Sequence, residues 1–225
     1  MINKEAELQQ WDLFKSYGEF NLVFESIIAE FKKLLIQIVR LSYEYEEEED
    51  ENGEELSDHE QDRLIKIILS NSGAMEMIQN YNACFVDYFN AQKSKFGEFS
   101  YTYNGVKLTL SHNNYEFIMV LCAKAKELVE LRNQLIHSHF NQGLFLAVGD
   151  IKLIGQKDRQ TNKGYERRQF KLDIQLLDKL NLDMNEIQNA LSNIKYMIWL
   201  GEFEFAKENI QAIKNINFKI SKDAI

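Results

Sequence analysis

The chain holds four histidines, His59, His112, His137 and His139, and one of them stands among groups that could carry chemistry. Arg132-Asn133-Gln134-Leu135-Ile136-His137 sets a guanidinium, an amide and an imidazole within six residues. An imidazole with an ordinary pKa of about 6.5 exchanges a proton at neutral pH. Such a group can take the proton of a ribose 2′-hydroxyl or give one to a leaving 5′-oxygen. The guanidinium can grip the scissile phosphate through two hydrogen bonds and stabilise its growing charge. Asn133, one helical turn before His137, can orient the imidazole. The scheme requires no metal and no cofactor.

On an ideal helix Asn133 and His137 share a face, while Arg132 points roughly 140° away from His137. A single helix therefore presents the pair poorly to one phosphate. A second, antiparallel copy would bring two Arg132 and two His137 side chains around one cleft, so the spacing points to a homodimer. His139 is a candidate auxiliary group, or a solvent-exposed histidine at a helix end. The whole string also has a structural reading, as the polar face of a helix end where cations are favoured by the helix dipole.

A basic segment follows. Lys152, Lys157, Arg159, Lys163, Arg167, Arg168 and Lys171 are opposed only by Asp158 and Glu166. With Tyr165 and Phe170 among them, Lys157, Arg159, Lys163, Arg167, Arg168 and Lys171 form a candidate RNA-binding hairpin that contacts phosphates and stacks on bases. The competing reading is an exposed hairpin whose charges discourage edge-to-edge aggregation.

The elements that must position these groups are mainly helical. Phe20, Phe24, Ile27, Phe31, Leu34, Leu35 and Ile38 make a three- and four-residue stripe, predicting a helix over 19–43. An acidic run over 44–55 then has nothing to bury and is expected to be an exposed loop. Ser57-Asp58-His59-Glu60 has the form of a capping box opening a short helix. Asn71-Ser72-Gly73 is a break before a helix with Ile78, Tyr81, Phe85 and Tyr88 on its apolar face.

The alternating segment 99–110, with Asn104-Gly105 at its centre, predicts a β-hairpin that pairs Tyr103 with Val106 and Tyr101 with Leu108. Asn113 and Glu116 are expected to cap the motif helix, which runs to about His139 with Phe117, Leu121, Leu128, Leu131 and Leu135 inside. Gly143 is its expected stop. A second β region over 144–172 is expected as strands 144–154 and 165–172 around a polar tip, 156–164. A last helical stretch begins near Leu176, with Ile187, Leu191, Ile194 and Ile198 inward and Gly201 as a break. The expected fold is thus one mainly α domain over 1–225, a helical bundle with two small β-hairpins.

Arg132-Asn133-x-x-x-His137, late on a long helix of such a bundle, resembles the signature of the HEPN (higher eukaryotes and prokaryotes nucleotide-binding) superfamily. The likeness rests on six residues, with a looser helical match over about 113–216; the β region lies outside the minimal family bundle. Many HEPN proteins are metal-independent endoribonucleases of bacterial toxin–antitoxin, abortive-infection and CRISPR-linked defence systems. The resemblance implies RNA as substrate, a dimer with the motif at its interface, and an antitoxin or other defence partner. In one subgroup a tyrosine stands two residues after the motif histidine; here the position is His139, so nucleotide attachment to such a tyrosine is not expected.

Composition narrows the alternatives. With 45% hydrophobic residues a sizeable core can form, and the absence of proline lets long helices run unbroken. A formal net charge of −9 argues against a surface that binds nucleic acid everywhere, but not against a local basic site. Cys84 and Cys122 form no Cys-x-x-Cys pair and read as buried free thiols suited to a reducing cytoplasm. Met1 to Glu7 has no signal-peptide core, and the apolar run 117–123 is too short to span a bilayer. Two rivals to a nuclease remain: a HEPN-like module that only dimerises and binds, and an adaptor or antitoxin-like protein whose acidic run docks a basic partner.

Overall fold

The computed structural model describes residues 4–46, 72–96, 100–103, 106–109, 112–136, 139–141, 153–161, 164–200, 205–218 and 220. Among them, five helices dominate: α1 (Lys4–Glu46), α2 (Ala74–Phe96), α3 (His112–Ile136), α4 (Ile174–Leu200) and α5 (Lys207–Asn215). The protein is mainly helical. The short helix expected after Ser57, nearly all of the acidic run, the Asn104-Gly105 turn, Gly143 and Gly201 lie outside the described residues.

Helix α1 begins fifteen residues earlier than its expected start at Glu19. The core stripe expected from Phe20 onward is buried throughout, and Ser16 and Leu13 extend it back about two further turns. Gly18 does not break the helix, since one glycine in a long helix costs only about 1 kcal/mol relative to alanine. Helix α2 starts after Gly73, whose carbonyl accepts the first helical bond, from Met77 N at 2.9 Å. Its Ile78, Tyr81, Phe85 and Tyr88 are all buried.

Two helix ends differ from expectation. Helix α3 stops at Ile136, short of His139. The carboxylate of Glu116, expected to reach back to its own helix start, accepts a hydrogen bond from Lys214 Nζ on α5, which holds it below the ordinary glutamate range. Helix α4 opens at Ile174 because Asp173 caps it, its carboxylate accepting from Leu176 N at 2.9 Å.

The strands are described by their backbone pairing. β1 (Ser100–Tyr103) and β2 (Val106–Thr109) run antiparallel, with Tyr103 opposite Val106 and Tyr101 opposite Leu108. β3 (His139–Asn141), β4 (Leu153–Thr161) and β5 (Gly164–Leu172) form an antiparallel sheet in that order. Here the ladder corrects the expected boundaries. Most of the supposed polar tip, from Gln156 to Thr161, is strand paired to β5. Hydrophobic alternation misses it because backbone hydrogen bonds, rather than apolar side chains, define a strand in this charged stretch.

The chain divides into two compact units. Unit 1 comprises 1–25, 127–186 and 216–225, and buries Leu13, Phe20, Phe24, Leu131, Leu135, Leu177 and Met184. A polar knot ties α1 to α4 inside it: Ser16 Oγ donates to Asp178 Oδ1 at 2.7 Å, and Asn181 Nδ2 donates to the Ser16 carbonyl at 3.1 Å.

Unit 2 comprises 26–126 and 187–215, and its interior is aromatic. Phe31 meets Tyr81 edge-on at 5.6 Å, Phe89 stacks on Tyr115 at 4.3 Å, and Phe117 lies nearly parallel to Phe205 at 3.5 Å. The buried Asn114 side chain accepts a hydrogen bond from Phe205 N at 2.9 Å, fixing the approach to α5. Burial pushes the Cys122 thiol up to about 12 and raises the Tyr81 phenol well above its usual range. Both groups are therefore neutral at any physiological pH, in keeping with a dry interior.

Candidate functional site

The leucines of α3 fix where Arg132 emerges. Leu128, Leu131 and Leu135 are buried, so Arg132 leaves the helix at the margin of that face, part-buried beside α1. Its guanidinium carbon sits 5.2 Å from the centre of the buried Phe24 ring, within the range of a cation–π contact. Nη2 lies 3.5 Å from Glu25 Oε1, and Nη1 donates to Asn133 Oδ1 at 3.5 Å. Nε is buried and has no hydrogen-bond partner.

These contacts differ in strength. The Phe24 ring is buried, so it offers the guanidinium a desolvated aromatic surface. Glu25 is exposed and its pairing is long, which makes it a weak counter-ion. A phosphate arriving at Arg132 could displace Glu25 and form shorter, charge-assisted bonds. The arrangement is a cation preset on an aromatic platform with an exchangeable anion.

Asn133 is beside Arg132 and bonded to it, so these two motif residues meet although they are adjacent on the helix. His137 lies outside the described residues. His139 belongs to β3 and not to the end of the motif helix: it sits opposite Gln156 of β4. Helical pattern alone continues past Ile136, whereas the strand pairing of 139–141 requires an extended backbone and ends the helix first.

The register also sorts the basic residues. Lys157 faces Arg168 across the ribbon, Arg159 faces Glu166, Asp158 faces Arg167, and Ile154 faces Lys171. Strand positions alternate between two faces. Lys157, Arg159 and Arg168 therefore occupy one set of positions, with Phe170, and Arg167 and Lys171 the other, with Tyr165. The described basic candidates are thus divided between the two sets of alternating positions. Lys163 lies outside the described residues.

Phe24 and Glu25 are the site residues that sequence reasoning missed. Phe24 was legible only as a core position, and nothing marked Glu25; both lie more than a hundred residues before Arg132. Among the described residues, no three His, Cys, Asp or Glu side chains gather to hold a metal ion, and no helix is long and apolar enough to cross a membrane. No protein-family model, no curated protein and no solved structure matches the chain.

Proposed function

We propose that the protein is a HEPN-like, metal-independent endoribonuclease of a bacterial defence or toxin–antitoxin system, acting in the cytoplasm. The observation that carries the reading is the Arg132 guanidinium, set on Phe24 with a weak counter-ion, five residues before His137. The strand that follows the motif also pairs with β4 of the basic ribbon, so the chain leads directly from motif to cationic segment. In the reaction, His137 removes the 2′-hydroxyl proton and the 2′-oxygen attacks the adjacent phosphorus. The bond from phosphorus to the 5′-oxygen breaks, and that oxygen takes a proton from the His137 of a second copy. Arg132 neutralises the charge that builds on the phosphate. The products are a 2′,3′-cyclic phosphate and a 5′-hydroxyl.

The test is cleavage of RNA by purified protein in EDTA, with DNA of the same sequence as control. His137→Ala and Arg132→Ala should each lose at least about a hundred-fold in rate, the scale of one acid–base or electrostatic group. Cleavage by His137→Ala at the wild-type rate would defeat the assignment. Replacing Arg167 and Arg168 by glutamine should weaken RNA binding and flatten its salt dependence if the ribbon holds substrate.

A second reading is favoured by the same contacts. Arg132 bridges α1 and α3 within unit 1 through Phe24 and Glu25, which is also what a structural tie would do. A non-catalytic dimerising or adaptor module is then the alternative. In that case Arg132→Ala lowers the unfolding midpoint and no RNA is cut by any variant.

A further inference from the structure

The amino-terminal half of α1 has two apolar faces. One is the core face of unit 1. The other leaves Trp11 and Leu22 each 73% exposed, Leu8 63% and Phe14 40%. At about 100° per residue, Trp11, Gly18 and Leu22 fall within roughly 40° of one another, with Leu8 and Phe14 some 60° to either side of Trp11. Isolated exposed apolar residues are ordinary, but a stripe of them along one helix marks an interaction surface.

Gly18 stands in the middle of that stripe. A Cβ built there would meet nothing within 4 Å, so among the described residues no neighbour needs the missing side chain. The residue nevertheless costs the helix about 1 kcal/mol relative to alanine. Glycine repays such a cost where another backbone comes close. No described residue brings a backbone there, which leaves the place open to a second molecule.

From these features the geometry points to a second copy of the same helix, packed antiparallel. Trp11 and Leu22 are equally far from the midpoint between Ser16 and Tyr17, and so are Lys15 and Gly18. A two-fold axis at that midpoint sets Trp11 of each chain against Leu22 of the other, and the stem of Lys15 over Gly18. Lys15 pairs loosely with Glu19 of its own chain, at 3.9 Å, and both are exposed. Across the axis, the Lys15 ammonium comes beside the Glu19 carboxylate of the other copy, so the surface is complementary to itself in charge as well as shape. Such matching is what an isologous interface requires.

The face from Leu8 to Leu22 is about 21 Å long. Its four large side chains expose on the order of 500 Å². With the flanking charged stems this approaches the roughly 800 Å² per partner of a standard interface, which suits a reversible dimer.

The pairing does not rest on the ribonuclease reading. It sets the two Arg132 residues about 25 Å apart along the helix axes, because each lies beside Glu25, beyond Leu22. A cleft shared by two motifs would use a different surface.

Sedimentation of the full chain over a wide concentration range tests the inference without any RNA. Wild type should associate reversibly, and Trp11→Glu should halve the sedimenting mass with helix content unchanged. Gly18→Leu places a better helix former in open space, so it should leave the monomer as stable or more so, yet weaken association at least about ten-fold. Disulfide trapping fixes the register: Trp11→Cys and Leu22→Cys chains should cross-link when mixed, and neither should do so alone. A wild type that stays monomeric, a Trp11→Glu chain of unchanged mass, or cross-linking of either single variant with itself would overturn the antiparallel pairing.

Discussion

The two compact units use their large apolar residues in opposite ways. Unit 2 packs Phe31, Tyr81, Phe85, Phe117 and Phe205 into an aromatic interior. Unit 1 has a core of its own, but among the described residues it also holds the large apolar side chains that remain exposed, from Leu8 and Trp11 on α1 to Leu182 on α4. It holds the polar knot at Ser16 and the platform for Arg132 as well. Unit 2 therefore commits its large aromatic residues to its interior, whereas unit 1 leaves several large apolar residues on its surface beside a core of its own.

The sharpest way to break that contrast is Phe117→Ala. The ring is buried and stacked on Phe205, so its loss should cost about 3–5 kcal/mol in chemical denaturation. A cost below about 1 kcal/mol would mean that the aromatic interior is not what holds unit 2 together.

A smaller effect of opposite sign is expected from Asp183→Asn in unit 1. Burial pushes this carboxyl up, with Glu186 adding to the rise and Lys179 opposing it, and Oδ2 is buried without a hydrogen-bond partner. A carboxyl whose folded pKa is raised adds no penalty below its unfolded pKa of about 3.9 and a growing one as pH rises through the folded value. The asparagine variant should thus have the higher urea midpoint at pH 7, and the two curves should converge near pH 3. A gap that persists at pH 3 would place the effect in packing rather than in charge.

The smallest effect is expected at Trp11→Ala. Measured where the chain is monomeric, stability should stay within about 0.5 kcal/mol of wild type, although a tryptophan has been removed. A loss comparable to that of Phe117→Ala would show that Trp11 is covered in the monomer and would erase the difference between the units.

The long helices were largely legible in the sequence. The stripes of α2 and α3, and that of α1 from Phe20 onward, are buried as their spacing implies, because a long amphipathic pattern is set by local geometry. The start of α1 was not legible, since Leu8, Trp11 and Phe14 leave the core stripe and point elsewhere. Capping was only partly readable: Glu116 suited a reach back to its own helix start, but Lys214, ninety-eight residues on, offers a stronger charge. The candidate site shows the same division. Arg132 and Asn133 could be picked out by type and spacing, while Phe24 and Glu25 depend on how α1 lies against α3, which no local pattern encodes.

Cys122 turns the dry interior of unit 2 into a clock. Only the thiolate reacts readily with alkylating or disulfide reagents, and a thiol held near 12 behind a buried helix face offers almost none while the structure stays closed. Its labelling in native buffer therefore counts the moments when that interior opens, and the rate, set against that of an unfolded thiol, gives the free energy of opening. Cys84, half-buried and less strongly raised, supplies a second and faster hand on the same dial. The two thiols let breathing of the surface of α2 be timed separately from rupture of the core beneath it, with no probe added to the chain.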